Sequence, residues 1–250
     1  MGITKKTLLI DADILMFRFA FKHQQEVCWP NGSITFVTQE ARAKNNIDQF
    51  IRNLLLQTNC VDYVLCFTHK LNFRYSILPS YKSNRANMIP PKLLGTLKNY
   101  MQTNHPWDAE PYLEADDYMG ILGTKEPDKY VLTTIDKDFE SLPVTLFNWD
   151  KDKVPRKIKE QDADFRFHYQ WLMGDPGDGY KGCYRIGDKK ARKILGEREP
   201  NEWTAVVVET YADRCYSWEE ILQQARCARI LRTTDYNFKR KEVILWSPNC

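Results

Sequence analysis

Apolar positions along the chain follow two rhythms. Residues 7–11, TLLID, form a short continuous apolar run closing on an acid; 62–67 (DYVLCF), 130–135 (YVLTTI) and 144–149 (VTLFNW) are further short, largely apolar runs. Unbroken apolar runs of this length read as strands buried on both faces. Between Thr38 and Thr58, Ile47, Phe50, Ile51, Leu54 and Leu55 recur at helical spacing and predict a helix with one buried face. Residues 90–103 follow two prolines and read as a helix with a proline start. LEADDYMGIL at 113–122 predicts a helix headed by acids, with Gly123 placed to end it. WPNGS at 29–33 is a turn signal between apolar flanks and predicts a hairpin. Buried strands alternating with helices imply an α/β fold with a mostly parallel sheet flanked by helices.

Beyond residue 160 the strand rhythm fades, and ADFRFHYQWLM, GDKKARKIL, NEWTAVVVETYA and SWEEILQQARCARIL all favour helix. KDKVPRKIK at 151–159 is the expected boundary between an α/β body, residues 1–160, and a helical part, residues 161–250. At 250 residues and 43% hydrophobic, the chain has core material for one large domain or two modest ones. No apolar stretch reaches the length of a membrane span, and no signal peptide opens the chain. Gly2 matches a myristoylation signal only weakly, so a cytoplasmic, membrane-free protein is expected. Its seven cysteines are irregularly spaced without a CxxC pair, which argues against a zinc ribbon or a disulfide framework.

A net charge of +3 does not by itself indicate a polyanion partner, but the distribution does. KDKVPRKIK holds five basic side chains and KKARK at 189–193 holds four, while acids gather at 11–13, 114–117, 136–138 and 175–178. Such segregation suits a chain that binds a polyanion and holds metal ions beside it. Ligands of parallel sheets bind beyond the carboxyl ends of the strands. Asp11 and Asp136 directly follow predicted strands and would meet at one rim. Asp13 and Asp138 lie two residues on, and return to the same side if the backbone stays extended. On the acid-headed helix, Glu114 and Asp117 are three apart and share a face, with Asp116 displaced around the axis.

Taken singly, each acid reads as a cap, a turn residue or a surface charge. Three acids at one helix start exceed what capping needs. Clustered carboxylates raise one another's pKa, and divalent cations resolve the conflict. All-oxygen ligation suits Mg²⁺ or Mn²⁺, and two such ions can activate a water and stabilise the leaving oxygen in phosphodiester hydrolysis. MGDPGDG at 173–179 adds Asp175 and Asp178 in a turn-like loop. In KGCYRIGDKKARKIL, the helix start could receive a phosphate, and Lys189, Lys190, Arg192 and Lys193 could track a strand. The spacing of Gly182 and Gly187 is similar to that of helix-hairpin-helix elements that grip backbone without reading bases.

The ordered set LLIDADILMFRF, FRYSILPSYKSNR, LEADDYMGIL, TTIDKDFESLP, MGDPGDG and YKGCYRIGDKKARKIL resembles the 5′-nuclease family over roughly residues 7–195. That family includes flap endonucleases and the 5′–3′ exonucleases of tailed phages. The resemblance implies a PIN-like fold with a helical arch at about 81–105 and a helix–three-turn–helix element at about 173–195. It implies Mg²⁺-dependent hydrolysis, with Mn²⁺ able to substitute, near the 5′ end, nick or flap of duplex DNA. Under it, Asp11, Glu114, Asp116 and Asp136 are first-metal ligands; Asp138, Asp175 and Asp178 belong to the second, with Asp117 near both. Lys82 and Arg85 would contact the scissile phosphate, Tyr81 would stack on a terminal base or lie in the core, and Arg74 would bind phosphate or pair with an acid. RNA–DNA hybrids are admitted as substrates, because backbone contacts ignore base sequence. A monomer is expected, in the host cytoplasm if phage-encoded.

Three departures from the family pattern stand out. Thr68 occupies the neighbourhood where many relatives carry another aspartate, leaving Asp13 to compensate. The stretch between Arg85 and Glu114 is short, which argues for a small arch. Arg185 stands where the loop usually has a glycine, which argues against assuming a potassium-type ion there. Two rivals are a PIN-type single-strand ribonuclease and a catalytically inactive DNA-binding relative. The basic helix and MGDPGDG loop favour duplex DNA over the first, and the acids argue against the second.

Overall fold

The computed structural model describes residues 5–248. Gly2 and Cys250, and with them the reading of the extreme N-terminus, lie outside the described residues. Strand β1 (Thr7–Asp11) runs into helix α1 (Ala12–Lys22), followed by the hairpin β2 (Gln24–Cys28) and β3 (Ile34–Thr38) and by α2 (Glu40–Thr58). Then come β4 (Asp62–Cys66), the single turn α3 (Arg74–Ile77), α4 (Leu94–Asn104), β5 (Trp107–Asp108), α5 (Ala115–Lys125) and β6 (Tyr130–Thr133). The chain continues through β7 (Thr145–Phe147), β8 (Arg156–Lys157), α6 (Glu160–Met173), α7 (Asp188–Gly196), α8 (Trp203–Ala212) and α9 (Trp218–Ala228). It closes with the short hairpin β9 (Tyr236–Asn237) and β10 (Glu242–Val243).

The central sheet has the order β5-β4-β1-β6-β7-β8. Its pairs are parallel except β7 with β8. Strand β1 is buried on both sides, as its unbroken apolar run predicts. Leu8 and Ile10 point into a core with α1, α2 and α4, while Leu9 points into a second core under α5. A third core joins α6 to α9 around Trp171, whose indole N–H donates to the Ile221 carbonyl at 3.1 Å.

Several boundaries differ from expectation for physical reasons. KDKVPRKIK belongs to the α/β body, where Arg156–Lys157 pairs with β7 as an edge strand and Ile158 joins the core of Leu9; past residue 160, Ala163 of α6 joins that core too. Gly123 does not end α5. It lies within the helix, where an added Cβ would come within 2.7 Å of Leu132 and 3.1 Å of Val144, so glycine permits close helix-on-sheet packing. Helix α4 starts at Leu94, beyond both prolines. In place of a free-standing helical arch, the segment after Tyr81 has one 3₁₀ turn, Ser83–Arg85, and then α4, whose Leu97 and Met101 are buried in the main core. The helix predicted through Leu231 stops at Ala228, and Arg229 turns to extended geometry. None of the described helices is long and apolar enough to cross a membrane.

Candidate active site

The carboxyl ends of β1 and β6 deliver the first acids. Asp11 ends β1 and caps α1: one carboxylate oxygen accepts the Ile14 N–H at 3.1 Å and the other the Thr134 hydroxyl at 2.9 Å. Asp136 caps the 3₁₀ turn Lys137–Ser141 by accepting the Asp138 N–H at 2.9 Å. Asp13 and Asp138 reach the same rim, by helical winding and not by extended backbone as expected. Asp13 accepts the Thr68 N–H at 2.9 Å, while the Thr68 hydroxyl accepts the Ala115 N–H at 3.0 Å. Thr68 thus ties Asp13 to the start of α5. Asp138 is held by Arg166 at 3.0 Å and by the Gln170 amide at 2.7 Å. Neither α6 residue carried a sequence motif.

Asp11, Asp13, Glu114, Asp116, Asp136, Asp138, Asp175 and Asp178 all line one open cleft of about 1270 Å³. Lys82 and Arg85 line it too. Burial and the neighbouring Asp13 and Asp136 push the Asp11 carboxyl up to about 7. Burial and Asp138 push Asp136 up to about 6. Asp116 is held well above the carboxylate range by burial, then by Asp117 and Glu114. Burial also raises Asp13 and Asp178. Glu114 goes the other way: burial alone would raise it, but Arg74 and Lys82 outweigh burial and hold it low.

The cationic side of the cleft is latched to the acidic loop. Tyr81, buried, places its hydroxyl 2.9 Å from Glu114 and 3.0 Å from Asp178, donating to one at a time. The Lys82 N–H donates to the Asp178 carbonyl at 2.8 Å, and its ammonium contacts the Glu114 carboxylate. Lys82 has a left-handed φ of 54°, a conformation that this backbone contact helps to hold. Arg85, half-exposed, reaches the Asp178 carboxylate and donates to the Gly177 carbonyl at 3.1 Å. Asn84, absent from the predicted set, donates to the Pro176 and Gly177 carbonyls at 3.0 and 3.2 Å.

Four expected roles need correction. Arg74 is not available to a phosphate: it is buried against Asp117, with contacts of 2.5 and 2.9 Å, and against Glu114 at 3.1 Å. Asp117 is fully buried and faces Arg74, while Asp116 lines the cleft. Glu114 and Asp117 do converge, but on the Arg74 guanidinium; of the two, only Glu114, the extended N-cap with φ −77° and ψ 162°, also lines the cleft. Tyr81 is packed in the helical core, with no face open to a terminal base. Gly182 is buried with φ +67°, and its N–H donates to the Gln224 side chain at 2.8 Å. A Cβ there would come 2.3 Å from the Gly174 nitrogen, so Gly182 serves a close backbone crossing.

Gly187 stands exposed before α7, with Lys189, Lys190 and Lys193 exposed along that helix. Arg185 holds φ +59°, where glycine was expected, and its carbonyl accepts the Lys190 ammonium at 3.2 Å.

The donor set suits a hard divalent cation. Glu114 and Asp116 bring ligand atoms within 4.8 Å of each other at the head of α5, and the third nearby carboxylate, Asp117, is committed to Arg74. Asp11, Asp116 and Asp136 are carboxyls whose burial lacks compensating charge, which all-oxygen coordination of Mg²⁺ or Mn²⁺ would supply.

A family model described as 5′-3′ exonuclease, N-terminal resolvase-like domain, matches residues 6–166. An exonuclease of Escherichia phage T7 is 27% identical, over 98% of this chain and 94% of that protein. A 5′-3′ exonuclease of Buchnera aphidicola subsp. Schizaphis graminum is 27% identical, over 78% of this chain and 72% of that protein. Among solved structures, T5 5′-exonuclease with bound divalent zinc ions superposes with a TM-score of 0.63 at 18% identity, covering 90% of this chain and 89% of that one. Bacteriophage T5 flap endonuclease, in a pseudo-enzyme–product complex with DNA and metal ions, gives 0.62 at 17% identity, covering 92% and 90%.

Proposed function

Because the chain belongs to the 5′-3′ exonuclease family, through a resolvase-like domain spanning residues 6–166, we propose that it hydrolyses phosphodiesters near the 5′ ends of duplex DNA. The reading includes cleavage at nicks and flap junctions, removal of RNA from RNA–DNA hybrids, and action as a monomer. Its strongest support is one observation: eight carboxylates from four chain segments converge on a cleft that also carries Lys82 and Arg85. A cleft built only to bind DNA gains nothing from repelling phosphate.

Asp11, Glu114, Asp116 and Asp136, with Asp13 beside them, would hold one divalent cation, and Asp138, Asp175 and Asp178 a second. When bound, such cations supply Lewis-acid activation of the attacking water and charge to offset the leaving oxygen. The chain's own residues do the rest. Lys82 and Arg85, held over the cleft by Glu114 and Asp178, offset negative charge growing on the phosphoryl oxygens. Tyr81 bridges Glu114 and Asp178 and keeps the two acidic walls in register. Helix α6, the 174–187 loop and α7 act as a helix–three-turn–helix element. In it Gly187, Lys189, Lys190 and Lys193 grip duplex backbone without reading sequence.

The test supplies a 5′-labelled nicked duplex, a 5′ flap, an RNA–DNA hybrid and a single-stranded RNA, each with Mg²⁺ or EDTA. Mg²⁺-dependent cleavage of nick and flap is expected. Cleavage of single-stranded RNA alone would replace this reading with that of a ribonuclease. Absence of any cleavage would leave a DNA-binding relative.

A further inference from the structure

The last part of the chain lies outside the family match and carries no sequence motif, yet it touches the acidic wall. Asp117, Gly120 and Thr124 share one face of α5. Against that face runs a strap, residues 227–235, made of the end of α9, an irregular stretch at 229–232 and a 3₁₀ turn at Thr233–Asp235. The Leu231 N–H donates to Asp117 at 3.1 Å, and the Thr233 N–H donates to the Thr124 hydroxyl at 2.8 Å. Between them, a Cβ on Gly120 would come 2.4 Å from the Leu231 carbonyl oxygen and 3.1 Å from the Ile230 side chain. Gly120 therefore sits mid-helix because strap backbone approaches there, not for conformational freedom.

Arg74 closes the circuit from the other side. Its guanidinium donates to the Arg229 carbonyl at 2.6 Å and the Cys227 carbonyl at 3.4 Å while gripping Asp117 and Glu114. The strap is itself braced. Asp235 accepts from the Arg229 side chain at 2.9 Å and from the Arg232 N–H at 2.8 Å. Arg232 also donates to the Ser141 carbonyl at 2.8 Å, at the end of the turn that carries Asp138.

We propose that the strap Cys227–Asp235 is a positioning clamp for the metal-binding wall, setting Glu114 and Asp116 at the cleft through Arg74 and the face of α5. Gly120, Arg74 and Asp235 are its positioning residues. The inference rests on the nuclease reading for its consequence in cleavage, but its direct readout is cation affinity, measured without turnover.

The experiment titrates Mn²⁺ into the metal-free full chain by calorimetry, for Gly120→Ala, Asp235→Asn and a Gly95→Ala control, whose added Cβ meets nothing within 4 Å. DNA affinity in EDTA, the Mn²⁺ dependence of kcat and the denaturation midpoint are measured alongside. Gly120→Ala and Asp235→Asn are expected to weaken Mn²⁺ binding about tenfold, with DNA affinity within about twofold of the parent and kcat recovering at high Mn²⁺. The control stays unchanged. Unaltered Mn²⁺ affinity in either folded variant would overturn the proposal, as would weakened DNA binding with cation affinity intact. If Gly120→Ala fails to fold, Asp235→Asn decides. Failure of both to fold at any Mn²⁺ concentration would assign the strap to the fold and not to the site. A parent chain that binds Mn²⁺ but cleaves nothing would sink the nuclease reading while leaving the clamp intact.

Discussion

Arg74 and Asp117 form a two-pronged ion pair sealed from solvent, with 2.5 and 2.9 Å contacts and side chains 2% and 0% exposed. A pair this buried is sustained by its surroundings, because desolvation costs both partners. Here the Arg229 carbonyl and the Leu231 N–H complete the set. Arg74→Ala leaves the Asp117 carboxylate buried without its partner and is expected to cost about 3–5 kcal/mol of stability. Urea denaturation of the purified variant checks this. A loss below about 1 kcal/mol would mean that Asp117 finds another partner or water.

Asp136 lies on the acidic rim, with no basic partner in direct hydrogen-bonding contact among the described residues. Asp136→Ala is expected to lower turnover at least 10²–10³-fold, the scale of losing a directed electrostatic group at a reacting centre. Binding to a nicked duplex should remain measurable. Single-turnover cleavage with a parallel mobility-shift assay separates the two, and near-normal cleavage removes Asp136 from the metal set.

Lys82 reaches Glu114 on one side and lies 3.7 Å from Asp178 on the other. Lys82→Ala should reduce kcat by roughly 10²-fold while changing DNA affinity much less. Equal losses in both would recast Lys82 as a docking residue.

The metal-free protein should lose stability as pH rises. Asp11 and Asp136, near 7 and 6 in the fold against an unfolded value of 3.8, bind protons in the native state that the unfolded chain has already released. Between about pH 4 and 7 the native state binds more protons, so stability falls with rising pH and levels off above 7. Glu114, held low by Arg74 and Lys82, contributes in the opposite sense, but Asp13, Asp116 and Asp178 are raised together with Asp11 and Asp136 and keep the sign. Urea midpoints in EDTA should therefore be higher at pH 5.5 than at pH 8, and Mg²⁺ should remove most of the difference. A higher midpoint at pH 8 in EDTA would contradict this account.

Lys189, Lys190 and Lys193 should act through charge alone. Each lysine that contacts phosphate adds about one unit to the slope of log affinity against log salt. Replacing all three by alanine should flatten that slope by about three while sparing the cleavage rate at saturating enzyme. An unchanged slope would place the duplex elsewhere.

Short-range pattern was enough to locate β1, β4, β6 and β7 and the acids that follow β1 and β6, but not the two-residue strands β5 and β8. Asp11 and Asp136 were legible because a parallel sheet presents its carboxyl ends at one rim, whatever the loops do. Asp175 and Asp178 were legible as a pair because a glycine-rich turn keeps them close in the chain. Sequence could not sort Asp116 from Asp117. That depended on which of them met Arg74, 43 residues back along the chain. Nor could it assign Arg74, Gly120, Gly182 or the strap after Ala228. Their partners lie 40 to 155 residues away along the chain or across a backbone crossing. The sequence by itself settled a mostly parallel α/β sheet with acids at its rim, because local periodicity and strand direction are short-range properties. Which acids face the cleft, and which are locked behind it, was decided by tertiary structure. A buried charge takes whatever partner the fold brings within hydrogen-bonding distance.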